Sequence, residues 1–189
     1  MNTSSSTGLS RRALLGAFAA TTLTAAPTYS KAAGFLRGAG DIRRISMYSG
    51  RTGEMVDMIY WIEGQYITDA LKEVNYFMRD WRVDKVKEID TRTIDIMAAS
   101  HSLLDVSEPY TLLSGYRSPE TNAMLRSRSS GVAKNSLHIQ GQAADLRLSN
   151  RSVSQVAQAA AACHAGGVGK YSGSNFTHMD CGPVRSWGG

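Results

Sequence analysis

Hydrophobic spacing changes character along this chain, and the change limits the folds open to it. Between residues 68 and 104 apolar side chains recur at helical intervals. Leu71, Val74, Phe77, Met78 and Trp81 form the stripe of a helix that starts near Thr68 or Asp69. Ile94, Met97, Ala98, His101 and Leu104 form a second stripe over about Asp90–Leu104. Beyond residue 110 strand-like segments dominate: Tyr110–Ser114, Ala143–Leu148 and Phe176–Cys181. Ahead of both, Arg44–Ser49 and Glu54–Ile62 flank the turn Gly50-Arg51-Thr52-Gly53 and predict a hairpin. Two more helices are marked by their start signals. Ser118-Pro119 supplies an N-cap and a first-turn proline, and Ser152-Val153-Ser154-Gln155 is a capping box for a helix stopping at Gly166-Gly167. The glycine-rich stretch Gly166–Gly173 reads as a flexible turn beside a cleft. Helices come early and strands late, without regular βαβ alternation. The fold class is therefore α+β, a single domain with an antiparallel sheet and helices packed on it, and a doubly wound parallel sheet is excluded.

The opening of the chain has a different purpose. Residues 13–26 (ALLGAFAATTLTAA) are an uncharged apolar run directly after Arg11 and Arg12, and Ser30-Lys31-Ala32 places small residues where a signal peptidase needs them. This is the pattern of a secretory signal over residues 1–32. Ser10-Arg11-Arg12-Ala13-Leu14-Leu15 resembles the twin-arginine type, which exports folded proteins. A run this short falls below the roughly 20 residues that span a bilayer, so no permanent membrane anchor is expected. Residues 33–42 read as a flexible linker and 43–189 as the domain. Removing residues 1–32 from the 189 leaves 157, enough for one core.

The same cut settles the charge. Of 21 Lys and Arg, Arg11, Arg12 and Lys31 lie in the signal, which holds no acid; 18 basic against 16 acidic residues remain, a net +2 rather than +5. These charges form no basic run interleaved with aromatics, so nucleic-acid binding is not expected. Cys163 and Cys181 are too few for a disulfide scaffold. In an oxidising compartment they form one bridge, stay as two buried thiols or ligate a metal, and the spacing leaves all three open.

The chemistry-bearing residues concentrate late in the chain. Ser136-Leu137-His138-Ile139-Gln140-Gly141-Gln142-Ala143-Ala144-Asp145 is followed, 33 residues after Asp145, by His178 in Phe176-Thr177-His178-Met179-Asp180. Two imidazoles and a carboxylate suit Zn²⁺, leaving a fourth position for water. His138 and Asp145 are seven apart, which implies a loop between them, and Gly141 supplies its turn. His101 on an apolar helix face and His164 near a helix C-terminus read as structural.

The motif SxHxxGxAxD with the later apolar-x-His-x-Asp strand resembles the zinc D-Ala-D-Ala peptidases that share a fold with Hedgehog signalling domains. The nearer likeness is to the periplasmic murein endopeptidase branch. Ser114-Gly115-Tyr116-Arg117-Ser118-Pro119, Gly166-Gly167-Val168-Gly169, Ser174–Asp180 and Gly182-Pro183-Val184-Arg185-Ser186-Trp187 extend the likeness over about residues 42–189. The resemblance implies a periplasmic zinc hydrolase that cleaves peptide cross-links of peptidoglycan with a metal-activated water. It implies His138, Asp145 and His178 as zinc ligands, and Arg117 as the group that holds a substrate carboxylate or polarises its carbonyl. Ser136 either contacts substrate or caps its loop. Relatives place a catalytic base at positions that here hold Asn175 and Phe176, so Asp180, sharing a strand face with His178, is the candidate base, or else a carboxylate that orients a ligand. Without that base, a non-catalytic zinc module that binds peptidoglycan or a protein partner is the alternative.

Overall fold

Alternation and turn chemistry at residues 42–62 produce the hairpin that opens the described part of the chain, residues 41–188 of a computed structural model. The expected signal and almost all of the expected linker lie outside the described residues. Strands β1 (Ile42–Tyr48) and β2 (Met55–Ile62) pair antiparallel, and β3 (Gln65–Tyr66) adds to β2. Helix α1 (Thr68–Phe77) packs on β2, and α2 (Thr91–Leu103) follows, with the Asp90 side chain accepting from the Arg92 amide at its start. Then come β4 (Tyr110–Ser114), α3 (Pro119–Arg128), β5 (Ala143–Arg147), α4 (Val153–Ala162), β6 (Gly167–Tyr171), β7 (Phe176–Asp180) and β8 (Arg185–Gly188). Both predicted caps form: Ser118 accepts from the Thr121 amide, and Ser152 and Gln155 close a capping box.

All eight strands join one sheet in the order β3-β2-β1-β4-β5-β7-β6-β8. Five of its pairings are antiparallel, as the α+β reading expects, while β1 with β4 and β6 with β8 run parallel. The first parallel pair follows from the crossover through α1 and α2; the second arises because the chain leaves β7 and passes to the outer side of β6. Strand alternation then sorts the side chains. Ala144 and Leu146 of β5, Met179 of β7 and Val168 of β6 are buried in the core, against which α2 and α4 pack. Each large apolar side chain buried there contributes roughly 1.5–3 kcal/mol. Asp145, His178 and Asp180, out of phase by one residue, face the opposite side, where the sheet carries a cleft.

Two expectations change, and a third matter left open is resolved by the structure. Trp81 does not continue the α1 stripe: the helix stops at Phe77, and Trp81 is 37% exposed with Arg82 stacked over its ring at 4.3 Å. Asp80 ends the helix, its carboxylate accepting from the Arg82 and Ser118 amides. Gly166–Gly173 is no flexible turn, since Gly167–Tyr171 forms strand β6 in the interior of the sheet. Cys163 and Cys181 are free and buried, without a bridge between them. The Cys163 thiol turns back to donate to the Ala159 carbonyl of its own helix, and burial pushes it up to about 11. His101, half-buried, bonds the Glu108 carbonyl at 2.7 Å, and His164 is exposed just past α4.

Candidate metal centre

The loop before β5 folds His138 back over the sheet. Ser136 caps the short 3₁₀ turn Leu137–Gln140, its hydroxyl accepting from the His138 amide, and Gly141 ends the turn at φ 72°. A side chain at 141 would bring its Cβ to 2.3 Å from the Glu88 carbonyl oxygen, so both conformation and space require glycine. Asp145 and His178 are direct partners across β5 and β7. The three side chains converge. His138 Nε2 lies 3.3 Å from both Asp145 Oδ1 and His178 Nδ1, and the last two atoms are 2.9 Å apart.

That triangle has the size of one face of a metal tetrahedron: bonds of about 2.0–2.1 Å to nitrogen and oxygen put neighbouring donors about 3.3 Å apart. The outer nitrogens are committed elsewhere. His138 Nδ1 donates to the Gly115 carbonyl at 2.8 Å, which turns the lone pair of Nε2 toward the triangle. His178 Nε2 donates to Asp180 Oδ2 at 3.0 Å, which does the same for Nδ1. Two oriented imidazoles and a buried carboxylate form a donor set that fits a divalent transition metal such as zinc.

The electrostatics agree with the geometry. Burial alone raises the Asp145 carboxyl, but the charge and hydrogen bonds of His138 and His178 outweigh it and hold it far below the usual carboxylate range. Burial lowers His178, and its bonds to Asp145 and Asp180 more than reverse that, holding the imidazole up at about 9.

Arg117 closes the other side of the carboxylate. Its Nη2 reaches Asp145 Oδ2 at 3.4 Å and the Ser114 hydroxyl at 3.3 Å, and its Nη1 reaches Asn122 Oδ1 at 3.4 Å. All three contacts are long, and its buried Nε has no partner among the described residues. Arg117 is nonetheless firmly placed, because its amide donates to the His138 carbonyl. Beside these groups lies a cleft of about 500 Å³.

The sequence profile of the family described as "Peptidoglycan L,D-endopeptidase MepK" matches residues 37–187, a span that holds this whole site. The chain belongs to that family. It is 41% identical over 145 residues to peptidoglycan L,D-endopeptidase MepK of Escherichia coli K12, covering 77% of this chain and 80% of the relative. The MepK of Shigella flexneri matches to the same extent, and the probable peptidoglycan L,D-endopeptidase MepK of Haemophilus influenzae is 38% identical over 139 residues, 73% of this chain and 75% of its own. As a member of a peptidoglycan endopeptidase family, the chain is a peptidase rather than a non-catalytic module.

The sequence leaves two roles open for Asp180. It shares His178's face, as the strand period requires, and its carboxylate is heavily bonded. Its Oδ1 accepts from the amides of Gly167 and Gly182 and from Arg185 Nη1; its Oδ2 accepts from His178 and Arg185 Nη2. Burial raises this carboxyl, and those partners outweigh it and hold it well below the normal range. It is fully buried behind His178, an arrangement that fits the orienting carboxylate, the second of the two roles its position allows. Asn175 is exposed and Phe176 stacks on Tyr171, so among the described residues the cleft's carboxylates are Asp145 and Asp180 alone. Ser136 lines the cleft, but its resolved bond is the cap.

Arg185, which grips Asp180, and Trp187, whose ring centre is 5.4 Å from that of His178, receive no role from the sequence reading. The missed signal is a period of two. Gly167 and Gly169 pair with Arg185 and Trp187, and a Cβ at either glycine would sit within 2.7 Å of the guanidinium or the indole lying above it. The paired glycines form a floor over which two β8 side chains reach β7.

Proposed function

We propose that this chain hydrolyses the L,D-peptide bonds of peptidoglycan cross-links with Zn²⁺ held by His138, Asp145 and His178. The observation that carries the reading is the donor triangle, of tetrahedral size, with both outer imidazole nitrogens already bonded. A zinc ion there supplies a Lewis acid and a water whose pKa falls to about 7, so a separate side-chain base is helpful rather than obligatory. The protein supplies the rest. Asp180 and the Gly115 carbonyl fix the two imidazoles, and the cleft receives an extended stem peptide. Arg117 serves as the substrate-binding cation. Burial lowers its pKa, the charge of Asp145 opposes that, and its loose bonds and unpartnered Nε leave donors for the oxygen on which negative charge develops.

Such a substrate lies outside the cytoplasm, which supports a periplasmic location. Residues 1–32 support export as a signal peptide, and Arg11-Arg12 directly before the apolar run supports the twin-arginine route, which would deliver the domain already folded. No helix among the described residues is long and apolar enough to cross a membrane.

The test is mass spectrometry of purified muropeptide dimers incubated with zinc-loaded protein. Dimers joined through an L,D bond are converted to monomers, while dimers joined through a D,D bond persist. His138→Ala, Asp145→Ala and His178→Ala each lose both product and stoichiometric zinc. Persistence of the L,D dimer with wild-type protein overturns the substrate assignment, and full zinc occupancy in any one variant removes that residue from the ligand set.

A further inference from the structure

The cleft face carries one straight row of side chains. Register places Ser114, Asp145, His178, Gly169 and Trp187 side by side on β4, β5, β7, β6 and β8. Arg117 serves one end of this row, bonded to Ser114 and Asp145. The opposite end is an aromatic wall. The Trp187 indole lies flat on Gly169, where a Cβ would come within 2.7 Å of two ring carbons. Tyr171 stands next to it, stacked on Phe176 with ring centres 4.5 Å apart and planes 13° from parallel.

The hydrogen bond between the two residues has only one possible direction. An indole N–H is a donor and never an acceptor, so Trp187 Nε1 donates to the Tyr171 hydroxyl oxygen at 3.0 Å. The hydroxyl's own proton is thereby left over, and it has no acceptor among the described residues. Stacking fixes the ring, and the indole fixes one lone pair of the oxygen. What results is a directed O–H donor on a residue that lines the cleft. Three polar neighbours on this side are already committed to the fold. Asp180 is saturated, Ser136 caps its turn, and Arg185 holds Asp180 and the Pro183 carbonyl.

We propose that Tyr171 is a substrate-contacting residue whose hydroxyl, oriented by Trp187, donates to a carbonyl or carboxylate oxygen of the stem peptide on the β8 side of the metal centre. A stem peptide offers such acceptors along its whole length, and the flat faces of Trp187 and Phe176 accommodate the aliphatic carbon beside them. Arg117 and Tyr171 then hold the cross-link from the two ends of the row, with the metal ligands between. This assignment rests on the peptidoglycan reading.

The test pairs binding with turnover, using zinc-loaded protein. Tyr171→Phe keeps the stack on Phe176 and removes only the hydroxyl, and Trp187→Phe keeps an aromatic ring on β8 while removing the indole N–H together with its five-membered ring. Titration calorimetry measures affinity for an uncross-linked stem-peptide muropeptide, which is not consumed, and steady-state assays on the L,D dimer give kcat and KM. Tyr171→Phe weakens affinity and raises KM about tenfold, the size of one lost hydrogen bond, with kcat and zinc content within a factor of two. Trp187→Phe produces a smaller loss in the same direction. Wild-type cleavage together with unchanged affinity and KM in Tyr171→Phe overturns this assignment alone. Wild-type protein that binds the muropeptide without cleaving the dimer, yet loses affinity in Tyr171→Phe, supports it while overturning the catalytic reading. Wild-type protein that neither binds nor cleaves overturns both.

Discussion

Asp180→Asn distinguishes a proton acceptor from a positioning group, and the structure fixes what it should do. The wild-type carboxylate receives five hydrogen bonds on two oxygens. Asparagine keeps one oxygen, which can still take the Gly167 and Gly182 amides and Arg185 Nη1. Its amide nitrogen then confronts His178 Nε2–H and Arg185 Nη2, donors facing a donor. His178 loses the acceptor that holds its proton on Nε2, and with it the orientation of Nδ1 toward the triangle. Removing a partner of this kind costs 10–100-fold in metal affinity, about 1.4–2.7 kcal/mol. The assay is competition for zinc against a chelator of known affinity, followed by kcat on the L,D dimer at saturating metal. The expected outcome is a zinc Kd raised 10–100-fold, with kcat largely restored once zinc is saturating. An unchanged zinc Kd with kcat reduced more than ~10²-fold would refute the argument, because that is the signature of a lost general base.

Gly169→Ala forces a methyl into the Trp187 indole and displaces it from beside His178; KM on the L,D dimer should rise several-fold while zinc content stays stoichiometric, measured by metal analysis and steady-state kinetics. Asp80 is buried at the start of α3, where its bonds to Thr121 and Ser118 overcome the upward push of burial and lower its pKa. A depressed pKa stabilises the fold above the unfolded value near 3.9 and is lost as pH falls through the folded one, so wild-type stability should drop below pH 4 with a component missing from Asp80→Asn. At neutral pH that variant should be about 1–3 kcal/mol less stable by denaturant titration. Cys163 and Cys181 should each take an alkylating label when the protein is unfolded without reductant, giving two adducts by intact mass; no adducts would establish a bridge.

Much of this architecture was legible because it follows from periodicity and caps. The hairpin, β4, β5, β7 and the four helices announce themselves through alternation, helical stripes, Ser118-Pro119 and Ser152–Gln155. Strands β6 and β8 do not, for a physical reason. Gly167-Val168-Gly169 lacks the side chains that make a strand recognisable, and it lacks them because Arg185 and Trp187 occupy that space. Trp81 fits the α1 stripe by spacing, but the helix ends at Phe77, and beyond it the Asp80 carboxylate accepts from the Arg82 and Ser118 amides. In the site, the convergence of His138, Asp145 and His178 could be anticipated from Gly141 and from the family resemblance. The role of Asp180 could not, since its face is a matter of strand period but its saturation depends on Arg185 and two amides contributed by other segments.

Among the described residues, the four of β8 are bonded along one side only, to β6, at the rim of the sheet. The donor atoms, by contrast, stand on β5 and β7, each flanked by strands on both sides. Opening free energies follow that difference: a rim strand separates at far lower cost than an interior one. Trp187 and Arg185 therefore ride on an element that can peel away while the triangle of His138, Asp145 and His178 keeps its shape.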